Sequence, residues 1–578
     1  MATPASIHGS TRAGERAGDE RTLDHIEPPP TTSLDKRSKK NEAPIAAIEA
    51  PEEAAFKPSW SLWCIFVALS LFSFLSALDG TIITTALPTI TREIGGDDEQ
   101  LYLWAAQSFF FASTVPQPML GQLANIFGRR NPFLVAIVLF TLGSGLAGGA
   151  HSPAMLIAGR TVQGLGASGL YVFADIIICD LVPPRFRGPY LSFFLSAAAI
   201  GSTIGPVVGG ALAEANWRWI FYLNLPIAVV GFFILLVLLK VNYTRNPTWL
   251  SAMKRIDFFG ALIFIPSIFA IFFALITGGV QYPWSSWRVL LPLILGIFGS
   301  ASFFVYQATS FCTSPSVPIR LFTNPTSVIS FLLVFLSSII LQAISYFLPL
   351  YFQGVKLVSP LLSGVYYLPF SLAILPFAGG GGWLLSKYGR YISLHFAGFA
   401  LLTLGSGLFS ILDAGSSRGE WIGFQIISSA GMALIFTTTL PSTLAPLDEA
   451  DVAVATAIFA FVRSFGFVWG VTIAGIVFNG QVNAHLALVQ DTSIQEKLSN
   501  GAAYAFVSSG AIKELTDATT RSEVTRVYVK ALRVIWLVMV AVGLLGCVSI
   551  PFERHVELNK SHTTEYGLEE KHKEREKV

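Results

Sequence analysis

The chain has 578 residues, of which 53% are apolar and only 13% charged, with a mean hydropathy of +0.60. That balance excludes an ordinary soluble globular protein and requires many membrane spans. A formal net charge of +2 removes the electrostatic basis for a nucleic-acid partner.

Residues 1–58 are polar and carry Pro28-Pro29-Pro30 and the basic cluster Lys36, Arg37, Lys39 and Lys40. No apolar core follows a basic start, so no cleavable signal is expected, and the segment reads as a disordered cytosolic tail. Apolar runs of about 20 residues then recur, the length that crosses a bilayer as a helix. Spans are expected near 61–87, 102–124, 132–150, 154–178, 190–212, 219–239, 257–278, 289–309, 326–352, 361–385, 391–412, 421–441, 453–478 and 531–552. They group as a six-helix half (59–240), an extra pair (241–310) and a second six-helix half (311–552), which includes an outer loop at 479–530; a charged tail (553–578) follows.

The grouping rests on a faint repeat. Gly121 to Gly128 and Gly382 to Gly389 show the same seven-residue spacing, each followed by arginine, but the second copy falls two spans late for a simple duplication of six helices. With the N-terminus inside, the cytoplasmic loops hold Arg129, Arg130, Arg185, Arg187, Lys240, Arg245, Lys254, Arg255, Arg320, Lys387 and Arg390. The outer side has Arg92, Arg218, Arg288, Lys356 and Arg418, and its first loop is acidic at Asp97, Asp98 and Glu99. Both termini are therefore expected in the cytosol, although Asp448, Glu449 and Asp451 run against the trend. The sequons at Asn242 and Asn559 then face the cytosol and stay unmodified. The four cysteines are dispersed and imply no disulfide framework.

Residues with chemistry follow in chain order. Asp79 puts a carboxylate inside span 1, where an ionisable group is expensive and marks function by default. Burial disfavours its charge and a nearby cation favours it, a balance that proton exchange requires; the alternative is an acid at the outer interface. Gly121, Asn125, Gly128, Arg129 and Arg130 form a tight loop between spans 2 and 3, whose cations can contact helix ends or carboxylates in one state and release them in another. Asp175 or Asp180, near the end of span 4, are the candidate partners, and the plain alternative is positive-inside charge. Arg160 stays charged at any relevant pH, so it must face the bundle interior and find either Asp79 or backbone carbonyls. Gly201, Gly205, Pro206, Gly209 and Gly210 form a ladder of small residues, which lets neighbouring helices approach closely. Arg463 in span 13 is expected to meet an anionic substrate group or a carboxylate, or to brace the second half. Gln107, Gln342, Tyr346 and Gln353 are candidates for a central substrate cavity, each weak alone.

Together these residues resemble one family. The loop 121–130 is similar to the major facilitator signature G-x-L-a-D-r-x-G-r-k, with Asn125 where Asp is usual. Leu78–Pro88 resembles L-D-x-T-i-v-n-x-A-L-P, with Thr84 in place of Asn, and Leu156–Ala167 resembles l-x-x-x-R-x-x-q-G-x-g-a. Gly201–Gly210 resembles the antiporter signature G-x-x-x-G-P-x-x-G-G of exporters, and matches continue through Trp217–Pro226, Pro318–Phe322 and Tyr346–Pro369. The chain resembles the fourteen-span drug:proton antiporters of the major facilitator superfamily, of the kind found in fungal multidrug and toxin efflux pumps, over about residues 60–552.

The resemblance implies an all-α membrane protein with the major facilitator fold, fourteen helices and an N-in/C-in topology. It implies proton-coupled efflux of small organic molecules by alternating access, with Asp79 and Arg160 coupling the proton and the 121–130 loop gating. It further implies no enzyme activity, no catalytic or metal residues, and no cofactor beyond the proton gradient as energy source. The expected partners are a small-molecule substrate, protons and the lipid bilayer, with no nucleic acid and no obligate protein. The expected location is the plasma membrane, or the vacuolar membrane. A proton-coupled importer of the same fold, for siderophores or nutrients, is the first competing reading. A membrane receptor or embedded enzyme is the second, and the lack of a Walker loop, H-E-x-x-H or G-x-S-x-G counts against it and against ATP-driven transport.

Overall fold

Long apolar runs fold as helices in lipid because only a helix satisfies its own backbone polar groups there. The computed structural model describes residues 59–94, 99–241, 248–279, 281–499, 501–508 and 511–558. The expectations for the N-terminal tail, the acidic turn at Asp97 and Asp98, Arg245, both sequons and the chain after Leu558 lie outside the described residues.

The first half runs through α1 (Trp60–Ile94), α2 (Glu99–Thr114), α3 (Gln117–Phe127), α4 (Arg130–Gly148), α5 (Pro153–Leu181), α6 (Arg187–Asn216), α7 (Trp219–Tyr222) and α8 (Asn224–Leu238). A short α9 (Trp249–Met253) leads into the extra pair, α10 (Phe258–Thr277) and α11 (Trp287–Ala308). The second half comprises α12 (Pro325–Gly354), α13 (Pro360–Tyr388), α14 (Tyr391–Phe409), α15 (Arg418–Leu444) and α16 (Glu449–His485). Three short helices follow, α17 (Thr492–Leu498), α18 (Ala503–Ser508) and α19 (Ala511–Glu514), and then α20 (Ala518–Ser549). Helix starts are marked by side-chain caps: Ser152 on α5, Ser359 on α13, and on α15 a reciprocal box between Ser417 and Glu420.

Among the described residues, thirteen helical segments are long and apolar enough to cross a membrane. The expected second span is not one of them: Pro116, which lacks a backbone donor, divides it into α2 and α3. Two further boundaries differ from expectation. The final helix begins at Ala518 rather than near 531, because Asp517 caps its first turn and Val524, Val527 and Tyr528 bury one face. The segment before it is folded as well, with Tyr528 donating to the Ala503 carbonyl at 2.7 Å and Tyr504 meeting Phe347 edge-on. At the other end, residues 553–558 turn back under the second half: Glu553 is buried against His395 at 2.9 Å, and the Tyr391 hydroxyl accepts from the Val556 amide.

Two glycine seams set the helix packing. On α6, a Cβ at Gly201 would strike the Phe74 carbonyl of α1, and one at Gly205 the Thr81 hydroxyl. On α16, a Cβ at Gly466 would stand 2.7 Å from the Phe335 carbonyl of α12, and one at Gly470 2.5 Å from that of Ile339. The extra pair sits at the join between halves. Phe269 and Phe272 of α10 face Phe111 on α2, while Phe264 and Phe272 face Phe461 and Phe465 on α16.

Candidate functional site

Two of the polar constellations in the apolar interior involve α5. The first joins α1, α4, α5 and α8. Arg160 and Asp79 form an ion pair with neither side chain exposed to solvent. The same guanidinium nitrogen donates to Gln163 at 2.8 Å, Asn224 donates to the other Asp79 oxygen at 2.8 Å, and Gln163 donates to Ser144 at 2.8 Å. The Phe109 ring lies 4.3 Å below the guanidinium. Glycines explain how the site is sealed: a Cβ at Gly164 would stand 2.5 Å from the Phe109 carbonyl, and one at Gly159 2.6 Å from the Ala147 amide, so α2 and α4 close tightly around Arg160. Each charge is compensated by the other, since removing one partner of a buried pair leaves the second uncompensated. Two Arg160 nitrogens, Nε and Nη2, make no hydrogen bond and hold spare donor capacity.

The second constellation lies at the end that bears the basic short loops. Gly128 closes α3 with φ of 79°, and Gly389 closes α13 with φ of 67°, so both copies of the repeated loop turn at a glycine in the left-handed region. Arg129 is buried and donates to Asp180 at 2.7 Å and to the Ala124 carbonyl at 3.1 Å. Arg130 donates to the Leu236 carbonyl at 2.6 Å. Gly121 lets α3 touch α16, where a Cβ would meet Ala457 and Val454 at 2.8 Å. Asn125 donates to the Ala450 carbonyl at 3.2 Å; an ionised Asp at that position would have no proton to give it.

Asp175 does not belong to this loop. It lies five residues from Asp180, about 140° around the helix, and so points away from Arg129. Its partner is Arg463 of α16, at 3.1 Å with both side chains buried, and the pair joins the two halves. Of the partners considered for Arg463, the structure supplies a carboxylate. Gln107 lies beside Trp104, Phe273 and Thr277, against the extra pair. Gln342 is packed in the α12–α16 seam, Tyr346 rests on the second half's core, and Gln353 donates to Ser363 at 3.4 Å. Gln342 and Tyr346 stand one turn apart on α12, while Gln107 belongs to α2 and Arg463 to α16. A crevice of about 430 Å³ lies elsewhere, between α6 and α13, lined by Trp63, Tyr190, Ser192, Phe193 and Gly379 among others.

Several contacts had no separate signal in the sequence. Arg185 donates to the carbonyls of Ser386 and Lys387, and Ser192 and Thr437 share a hydrogen bond of 2.7 Å, both across the halves. Asp257 caps α10 and gathers Gln307 at 2.5 Å, Ser316 at 3.1 Å and Tyr306 at 3.3 Å, while its amide donates to Gln122 of the loop motif at 3.1 Å. Beyond it, Arg320 forms a two-pronged pair with Asp451 at 2.6 and 2.7 Å, and this hydrogen bonding holds the guanidinium pKa above the ordinary arginine value. A buried acid at a helix start and a glutamine reaching from the loop motif leave no periodic trace by which to find them.

Residues 69–471 match the profile of the Major Facilitator Superfamily. The chain belongs to that superfamily. The MFS efflux transporter aclA of Aspergillus oryzae is 46% identical over 508 residues, covering 88% of this chain and 92% of that protein. The MFS-type efflux pump LUC4 of a Fusarium species is 42% identical over 551 residues, 94% of this chain and 97% of its own. The efflux pump FUS6 of Gibberella fujikuroi is 42% identical over 522 residues, 90% and 94% of the two chains. Among solved structures, the human organic anion transporter MFSD10 aligns with a TM-score of 0.54 at 14% identity, over 85% of this chain and all of that one. The proton:xylose symporter XylE aligns with a TM-score of 0.50 at 15% identity, over 78% and 94%. These two likenesses concern the fold. As a major facilitator protein, the chain is a multi-pass membrane protein of a transporter family.

Proposed function

We propose that the protein exports small organic molecules, xenobiotics or a fungal secondary metabolite, in exchange for protons. The observation that carries the reading is the buried Asp79–Arg160 pair, held inside one half by Asn224, Gln163 and Ser144. A carboxylate sealed from water in a transporter interior is a functional candidate in its own right. The efflux names of the relatives, which match nearly their whole length, favour the outward direction.

In this reading α2 and α3 together form one crossing, giving fourteen, with both termini in the cytosol. The end that bears the basic short loops is then the cytosolic one, and contacts of α3 with α16 and of α6 with α13 join the halves there. A proton entering from outside neutralises Asp79 and frees Arg160, and the halves rock inward as that charge pair loosens. Substrate then enters from the cytosol or the inner leaflet, and the proton leaves on the same side. No cofactor is needed, because the proton gradient supplies the energy, and no protein partner is required. The plasma membrane is the location we assign.

The test is transport of a lipophilic cationic dye by the purified protein in vesicles with an imposed pH gradient. Uphill dye movement against the proton flow is expected, and Asp79→Asn should cut gradient-driven transport at least 100-fold while the protein stays folded. Dye moving with the proton flow, or a fully coupled Asp79→Asn variant, would overturn the assignment.

A further inference from the structure

In a proton-coupled cycle, proton binding at Asp79 must be felt at the far end of the bundle. Arg160 and Asp175 are fifteen residues apart on the same helix, about 22 Å along its axis. Asp175 lies six residues before the end of α5, about 9 Å from it. The two buried ion pairs therefore occupy opposite thirds of one continuous helix.

Their wiring differs. Asp79–Arg160 stays inside the first half, as does Arg129–Asp180, and His395–Glu553 stays inside the second. Asp175–Arg463 instead spans α5 and α16, so the rocking motion must pull it apart. Other hydrogen bonds across the halves, from Gln117, Asn125, Arg185 and Ser192, have neutral acceptors that water replaces readily. Parting a buried carboxylate from a buried guanidinium is different in kind, because both charges are stranded. One oxygen of Asp175, Oδ1, already lacks a partner.

We propose that Asp175–Arg463 is a proton-operated latch on the cytosolic gate, with Asp175 a second proton-carrying carboxylate beside Asp79. The inference rests on the proton-coupled reading above. A proton arriving from the outer side binds the free oxygen of Asp175. The carboxyl group becomes neutral, the attraction for Arg463 is lost, and the halves part at this end. Once the end is open, the proton leaves Asp175 to cytosolic water, and the ionised carboxylate is ready to recapture Arg463 when the halves close again. The neighbouring ionisable groups are few. Tyr171 stands one turn before Asp175 and feels Arg463, Asp79 and Asp175 itself; Cys179 stands one turn after it, near Arg187 and Asp180. Arg463 is thus the cation opposite Asp175.

Cys179 supplies a native reporter. It is fully buried on α5, one turn past Asp175 and beside Thr456 of α16, so opening the gate exposes it. The full-length protein is placed in vesicles, with the bath on the cytosolic face held at constant pH and carrying an impermeant maleimide. Modification of Cys179 is read by mass spectrometry while only the lumen pH changes. If opening takes up one proton, the open-to-closed ratio, and with it the labelling rate, rises up to about tenfold per unit of lumen acidification. Asp175→Asn and Arg463→Gln should each label rapidly and ignore lumen pH, whereas Asp175→Glu should stay protected and pH-responsive. A double charge swap, Asp175→Arg with Arg463→Asp, should restore protection and so separate loss of the latch from loss of the fold. Continued protection of Cys179 in both neutral variants overturns the proposal whatever the transport assay gives. Exposure in those variants combined with a wild type that ignores lumen pH removes the proton from the latch, and that also overturns it. The Asp79→Asn transport result stands apart from either outcome.

Discussion

The two glycine seams look alike at close range and differ in what surrounds them. On α6, Gly201 and Gly205 bring the backbone against α1; on α16, Gly466 and Gly470 do the same against α12. Both pairs are four residues apart, one above the other on a helix face. Close approach is therefore common to both halves and cannot by itself carry the exchange function. What the first seam has in addition is Pro206 directly after the second glycine, and then Gly209 and Gly210; the second seam has Val471 there, then Ala474 and Gly475. The second seam has Arg463 three residues before its first glycine, where the first has Ala198. One seam thus holds a proline within a continuous helix and the other a charge that reaches across to Asp175.

The largest expected effect tests the common part. Leucine at Gly205 or at Gly470 must displace backbone or hydroxyl atoms already in contact range of a first carbon. Overpacking usually costs about 1–3 kcal/mol, but here a helix pair must separate, and a cost on the order of 5 kcal/mol or more is expected. Both variants should give little monodisperse protein on size exclusion. Full recovery of one of them would show that the seams are not equivalent after all. Gly210 sharpens the contrast, because a Cβ there meets nothing within 4 Å. Gly210→Leu should fold at wild-type yield yet slow proton-driven export at least tenfold in vesicles. Wild-type export by that variant would reduce the ladder to the two glycines that pack.

The first seam was legible in the sequence and the second was not, for a physical reason. Four glycines and a proline within ten residues are improbable in a helix unless something demands them, whereas Gly466 and Gly470 sit among Phe465, Phe467 and Trp469, which read as ordinary lipid-facing residues. The spans were legible from hydropathy, except where Pro116 splits one and where α20 starts early on an amphipathic turn. Asp79 and Arg160 stood out because charges in spans are rare, and the structure brings them together. Their supports Asn224, Gln163 and Ser144 are individually unremarkable polar residues whose meaning is purely spatial. The same holds for Asp257 and Gln122, which tie the extra pair to the gating loop.

The smaller effect separates the two copies of the repeated loop. Each copy turns at a left-handed glycine and continues into an arginine, yet the arginines have different fates. Arg129 is buried on Asp180, while Arg390 is exposed. Arg129→Met keeps the side chain's bulk but removes the cation from the buried Asp180, so a loss of roughly 3–5 kcal/mol is expected. Arg390→Met removes only a solvated charge and should change stability by less than about 0.5 kcal/mol. Thermal unfolding in the same detergent compares the two directly, and Arg129→Met with Asp180→Asn should recover most of the loss because the stranded charge is gone. Equal effects from the two arginines would mean that the loops act as a symmetric pair. The expected inequality instead assigns the load to the first loop, and the reason lies in Asp180: the backbone turn is duplicated, but the carboxylate that makes its arginine matter is found beside one copy.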